Sequence, residues 1–262
     1  MAFQNVCNRE LAKYLPGDIT RENPIDIVGC FAEDENVQAG GFVFYGTNPE
    51  NQVKGLNGSA TAIAGIAKRT PYQCNMTGDN SNVYNLGSEI TVIRKGYVAV
   101  RVNSSATFGY NVFVDPATGL INTSSSSSIS ATAGTLTFAN VDTTIASWTA
   151  ITTGDLTLKI DGSNVALTSL DFHSASDMDD VAGVIDTALS TNGDCAYSAT
   201  TGLTITSKTT GATSSVEFVS STALATLLGT GVSVAGAGAM INTGWKVQEA
   251  CEAGEIAEIY NI

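Results

Sequence analysis

Histidine is almost missing: His173 is the single copy in 262 residues. A Ser-His-Asp triad or a histidine metal site would have to run through that one imidazole, which excludes most hydrolase and metalloenzyme chemistry. Charge is scarce too. Asp, Glu, Lys and Arg supply 14% of the chain, against roughly 25% in an ordinary soluble domain. Basic residues are the rarer sign, 12 against 25 acids, and the formal charge of −13 speaks against a nucleic-acid-binding surface. Five cysteines (Cys7, Cys30, Cys74, Cys195, Cys251) form no CxxC pair, so neither a zinc ribbon nor a redox motif is present. Their odd number and wide spacing read as reduced, mostly buried thiols. The most apolar late stretch, Val232 to Ile241, is too short and Gly-rich to span a membrane. The opening residues lack a basic-then-apolar leader pattern, so a soluble protein made in the cytosol is expected.

What is present points to strands. Hydrophobic residues make up 43% of the chain, with 26 glycines and long Ser/Thr-rich stretches, which excludes a helical bundle. Charge divides the sequence in three. Residues 1–135 carry a net −2, residues 136–232 a net −8 with only Lys159 and Lys208 as bases, and residues 233–262 a net −3. The run Thr123 to Ser130 and the run Val234 to Ala239 read as flexible junctions around the acidic middle.

The first segment reads as β. Gly41 to Gly46 and Tyr97 to Val102 are strand patterns, the latter with Arg101 facing away from Val100 and Val102. Asn111 to Val114, a turn over Asp115 to Gly119, and Leu120-Ile121 form a hairpin with a bulge. One or two helical turns are expected over Arg9 to Tyr14, ended by Pro16-Gly17. The tail, Trp245 to Gln248 and Ile256 to Tyr260, reads as two more strands.

The middle segment has a different grammar. Leu156 to Ile160 and Asn164 to Leu167 flank Asp161-Gly162, which supplies the positive φ angles of a type I′ turn. Ser176 caps a helix with Asp179 as the third residue of the box, and Met178, Val181, Ile185 and Leu189 form its apolar face. Strands follow at Cys195–Ala199, Leu203–Ser207 and Ser215–Val219, then a short helix from Ser221 to Leu228 that stops at Gly229. The expected fold is mainly β: a discontinuous β-sandwich or barrel-like domain (1–135 and 233–262) with an inserted small α+β domain (136–232) of order ββαβββα.

Candidate chemistry is thin. Asp177, Asp179 and Asp180 sit where a helix N-terminus favours acids and lack the glycine and distal glutamate of a calcium loop. Glu249, Glu252, Glu255 and Glu258 read as a solvated acidic surface. No P-loop, G-x-G-x-x-G, G-x-S-x-G or H-E-x-x-H occurs, and the many serines have no base to activate them. The expectation is a non-enzymatic scaffolding or binding protein with no metal and no cofactor.

The ends of the chain carry a resemblance. Met1 to Gln4, Pro16-Gly17-Asp18, Asn23-Pro24, Gly41-Phe42-Val43, Lys95 to Val100 and Ala250 to Ile259 resemble the bacteriophage structural cement (head decoration) protein family, over residues 1–122 and 240–262. The insertion resembles a module of phage tail-sheath-like proteins, through Leu158 to Gly162, Leu170-Asp171-Phe172, Thr204 to Ser207, Thr210 to Ser215 and Leu227-Leu228-Gly229. The first resemblance implies a virion protein on the outer capsid surface that binds the major capsid protein, bridges neighbouring capsomers and assembles as a homo-oligomer, a trimer. It implies no nucleic-acid or membrane partner. Phe3, Gln4, Asn23 and Pro24 are the candidate interface residues, beside the alternative that they pack within their own subunit. The rival reading is a virion-exposed glycan- or host-surface-binding adhesin or fibre head, in which an exposed Trp148 or Trp245 stacks on a sugar. A tail-tube or sheath component shares only the insertion, and a carboxylate-pair glycosidase is the only enzyme form left open.

Overall fold

A computed structural model describes residues 14–56, 62–70, 74–76 and 82–262. The first strands are β1 (Ile19–Ala32), β2 (Phe42–Tyr45), β3 (Gln52–Lys54), β4 (Ile63–Ala67), β5 (Cys74–Met76) and β6 (Asn82–Tyr84). Then come β7 (Glu89–Arg101), β8 (Asn111–Val114), β9 (Ile121–Ser124), β10 (Thr135–Phe138) and helix α1 (Ile145–Thr149). They are followed by β11 (Gly154–Ile160), β12 (Ser163–Leu170), α2 (Met178–Leu189), β13 (Gly193–Ser198), β14 (Gly202–Ser207) and β15 (Val216–Ser220). The last are α3 (Ala225–Leu228), β16 (Gly231–Val234), β17 (Ile241–Val247) and β18 (Ile256–Asn261). The chain forms two compact units, Met1–Ile129 with Met240–Ile262, and Ser130–Ala239.

Unit 1 is built on a closed ring of strands. β1 pairs in parallel with β3, and β3–β2, β2–β4, β4–β7 and β7–β1 are antiparallel, so the order returns to its start as a small barrel. Its interior takes small and branched side chains, among them Ala32, Val43, Val53, Ala64, Ile90 and Val92, as a narrow barrel requires. From β7 the sheet continues through β18, β17, β8 and β9. The barrel's outward Phe42, Phe44, Ile66 and Ile93 pack with Val98, Val100, Val112, Trp245 and Ile259 into a second core. Alternation accounts for both cores: Val43 points in while Phe42 and Phe44 point out. The hairpin over Asp115 to Gly119 forms, with Gly119 at φ +73°. The helix expected over Arg9 to Tyr14 lies almost wholly outside the described residues.

The serine run is tied down, not free. Asn111 Nδ2 donates to the Ser126 carbonyl at 2.9 Å and Asn242 Nδ2 to that of Ser127 at 3.0 Å. A bridge between Ile129 and Met240 brings the two ends of the interruption together. The expectation of two loose junctions is corrected accordingly; in the second, Val234 belongs to β16.

Unit 2 has a four-stranded antiparallel sheet, β13-β14-β10-β16, and a three-stranded one, β12-β11-β15. Beyond the expected ββαβββα it gains β10 and α1 ahead and β16 behind. Asp161 and Gly162 adopt φ of 50° and 81°, as a type I′ turn demands. Helix α2 buries Met178, Val181, Ala182, Ile185 and Leu189 on one face. Its N-cap is Asp177, not Ser176. The Asp177 carboxylate accepts from the Asp180 N–H, and the Asp180 carboxylate accepts from the backbone and hydroxyl of Ser176. A carboxylate one position later is the stronger acceptor for the helix's free N–H groups. Trp148 is fully buried, edge-on to Phe172 at 5.3 Å, with its indole N–H on the Asp142 carbonyl.

Two carboxylates latch unit 2. Asp161 accepts from Ser207 Oγ, Thr209 Oγ1 and the Ser215 N–H at 2.8, 2.8 and 2.9 Å. Burial pushes its pKa up, but these donors together outweigh burial and hold it below the ordinary value. The Asp180 carboxyl is held low chiefly by the Ser176 hydroxyl and backbone N–H. A depressed carboxylate contributes its stability fully above the unfolded pKa and loses it as pH falls through the folded one. Chemical denaturation should therefore show stability constant near neutrality and falling below about pH 4, and Asp161→Asn should flatten that fall. Trp148→Ala should cost about 3–5 kcal/mol in the same assay, as emptying a buried aromatic site does.

Candidate functional site

The stretch of β1 that carries Asn23 and Pro24 leaves its ladder. Arg21 pairs with Tyr97 and Asp26 with Lys95, so Glu22, Asn23, Pro24 and Ile25 stand opposite one residue of β7, Gly96. Surplus residues bulge out of a strand, and proline, with no N–H to give the ladder, suits that position. Gly96 has φ +133°, and a Cβ there would lie 3.0 Å from the Pro24 carbonyl oxygen. Pro24 is exposed. Phe3 and Gln4 lie outside the described residues, so the structure does not bring them to this bulge or separate them from it.

An ion pair between the half-exposed Arg21 and the buried Glu258 fixes the chain on the N-terminal side of the bulge. Arg21 Nε and Nη2 donate to Oε1 and Oε2 of Glu258 at 3.1 and 2.9 Å, and Thr20 Oγ1 donates to Oε1. The Glu258 side chain is 4% exposed. This corrects its assignment to a solvated acidic surface, which holds for Glu249, Glu252 and Glu255. Glu258 alternates with the core residues Ala257 and Ile259, so local pattern sends it to solvent; β1, more than 200 positions earlier, covers it. The hydrogen bond to Glu258 raises the Arg21 pKa above its ordinary value. The guanidinium also lies 4.4 Å above the Tyr97 ring, and Tyr97 stacks on Tyr260 at 5.7 Å. Lys246 stands opposite Tyr260, so one cross-strand row reads Arg21, Tyr97, Tyr260, Lys246.

From the last residue of the bulge onward, β1 presents an apolar stripe. Ile25, Ile27 and Phe31 are 39%, 49% and 47% exposed, with Gly29 between the last two. Cys30 and Ala32 point into the barrel. A strand apolar on both faces is the signal in the sequence that could have located this surface. Arg94 and Lys95, exposed at the kink of β7, border it. The surface thus has an apolar middle and a rim of mixed charge, with the bases Arg21, Arg94, Lys95 and Lys246 and the acids Glu22, Asp26, Glu89 and Glu258. Bases and acids balance there, in a chain of net charge −13. An apolar centre with a charged rim is the anatomy of a protein contact, not of a substrate pocket.

Comparison with known proteins identifies the family. The model of a family described as structural cement protein (E217 gp24/Pam3 gp6) matches residues 3–261. The chain belongs to the phage structural cement protein family. It is thus a phage capsid-associated structural protein, and the mainly β fold agrees with the sequence expectation. Among solved structures it resembles a chain of "The capsid of Myoviridae Phage XM1", at 23% identity over 48% of this chain and 82% of that one, with a TM-score of 0.39. So partial a likeness adds no argument of its own. No curated protein matches.

The ion pair gives this cement protein a checkable signature. Arg21→Ala strands the buried Glu258 carboxylate away from its arginine, so it should lower the melting temperature more than Arg21→Ala combined with Glu258→Gln. Calorimetry of the two variants decides the order.

Proposed function

We propose that this cement protein decorates the outer surface of the capsid shell, where unit 1 clamps the major capsid protein and bridges neighbouring capsomers. The observation that carries the reading is the exposed apolar face of β1, rimmed by charges of both signs, in a chain of the cement family. Phe3, Gln4, Asn23 and Pro24 belong to the contact, Asn23 and Pro24 as the protruding bulge. The work is mechanical and not enzymatic. Each bound copy buries surface on two capsomers, and a specific contact of this kind covers about 1,200–2,000 Å². Engagement of several sites by one oligomer, a trimer, makes detachment slow. The acidic unit 2 (the inserted domain, given as 136–232 from sequence) is a solubilising outward knob at high copy number. Reduced thiols and acidic charge fit assembly in a bacterial cytoplasm and a position away from packaged DNA.

The adhesin alternative finds no support in the tryptophans. Trp148 and Trp245 are 0% and 2% exposed, so neither offers a ring to a sugar.

Co-sedimentation of the full-length protein with undecorated capsid shells tests the reading. Wild-type protein should pellet with shells and raise their melting temperature, and the bound fraction should fall with salt because exposed charges take part. Arg94→Glu with Lys95→Glu, and separately Ile27→Asp, should weaken binding about tenfold or more, which is about 1.4 kcal/mol. Wild-type protein that stays in the supernatant would sink the cement mechanism. Variants that bind like wild type would move the contact off β1.

A further inference from the structure

The four-stranded sheet of unit 2 has two edges of opposite construction. At β13 the edge is blocked: the Cys195 N–H donates to the Asp186 carboxylate at 2.7 Å, and Asp194 on the same strand pairs with Lys208. At β16 there is no such protection. Gly231–Val234 pairs with β10 on one side, and no hydrogen bond among the described residues engages its other side. Val232 and Val234 are 60% and 59% exposed.

Charge is absent from this edge in the sequence itself. No Asp, Glu, Lys or Arg falls between Glu217 and Lys246, or between Asp115 and Asp142, the tracts that supply β16 and β10. Edge strands of monomeric proteins are normally guarded by charges, proline or bulges, because an open edge recruits another strand. The nine-stranded sheet of unit 1 obeys that rule at β9, where Ser104 Oγ takes the Thr123 N–H at 2.8 Å. β16 has none of these guards.

We infer that β16 is a homotypic contact strand. It pairs antiparallel with β16 of a second copy about a two-fold axis, so that the two sheets become one. Charge selects a second copy as the occupant. Unit 2 holds ten acids and two bases, and Lys159 and Lys208 are already engaged with Glu217 and Asp194. A basic partner would be drawn to the acidic faces and not to this edge. Two acidic units, by contrast, repel each other everywhere except along an uncharged edge, and an isologous contact is self-complementary there.

A four-residue strand spans about 13 Å, far short of the contact that a stable free dimer needs. The pairing is therefore weak between free copies and takes effect where neighbours are held close. On a shell it would tie neighbouring cement oligomers to each other laterally. That role rests on the shell reading, while the pairing itself does not.

Sedimentation velocity of the full-length protein, over a series reaching millimolar concentration, tests the pairing. A species above the basal oligomer should grow with concentration, and it should grow more at about 0.5 M than at about 0.05 M salt, because screening removes the repulsion between acidic units. Shell binding through the charged rim responds to salt in the opposite sense, so the two contacts are told apart. Val232→Glu with Val234→Glu should abolish the species, and Val232→Thr with Val234→Thr should keep it. Ser233→Glu replaces the first pair if circular dichroism shows that it does not fold. No such species at either salt, one that survives the glutamates, or one that weakens with salt would overturn the inference. Shell co-sedimentation of the glutamate variant at low occupancy, where bound copies have few neighbours, should match wild type, so its outcome there bears on the shell reading alone.

Discussion

One strand, β7, serves two cores, and much of unit 1 follows from the cost of doing so. Its first half closes the barrel against β1 and β4, with Ile90 and Val92 inside and Ile93 outside. Its second half lays Val98 and Val100 into the second core. A strand alternates strictly, so odd Ile93 and even Val98 can face the same core only if the phase is broken between them. The break falls at Arg94-Lys95-Gly96, where the register with β1 slips and Glu22 to Ile25 bulge outward. The exposed, charge-rimmed surface is thus a by-product of joining barrel to sheet. The Arg21–Glu258 pair then holds β1 in place beside it.

Unit 2 solves a different problem. With few bases available, its carboxylates are satisfied by hydroxyl and backbone donors instead of cations, as at Asp161, Asp180 and Asp155, which takes the Thr222 N–H. Such latches close turns and caps without calling for lysine or arginine, so the unit stays strongly acidic and still folds around Trp148 and the face of α2. The serines and threonines that make the sequence look featureless are the donors of those bonds.

Local patterns were legible wherever one face of an element meets one core. Asp161-Gly162 dictates its turn by backbone preference alone, and the apolar spacing of α2 fixes its buried face. The pattern failed where a distant segment intervenes. Ser176 and Asp177 are both competent caps, and only the position of the Asp180 carboxylate separates them. β10 and β16 are short and Thr- or Gly-rich, so each becomes a strand only by pairing with its neighbours.

The sequence by itself determined the strand-rich class, the acidic middle and the membership in the cement family, because composition, turn chemistry and short motifs are local properties. Tertiary structure alone decided that the chain closes a barrel, that Glu258 is buried, that the register of β1 slips at Asn23-Pro24 and that both tryptophans lie inside. Each of these depends on which strands become neighbours, and long-range pairing is settled by the mutual fit of two cores that no single segment encodes.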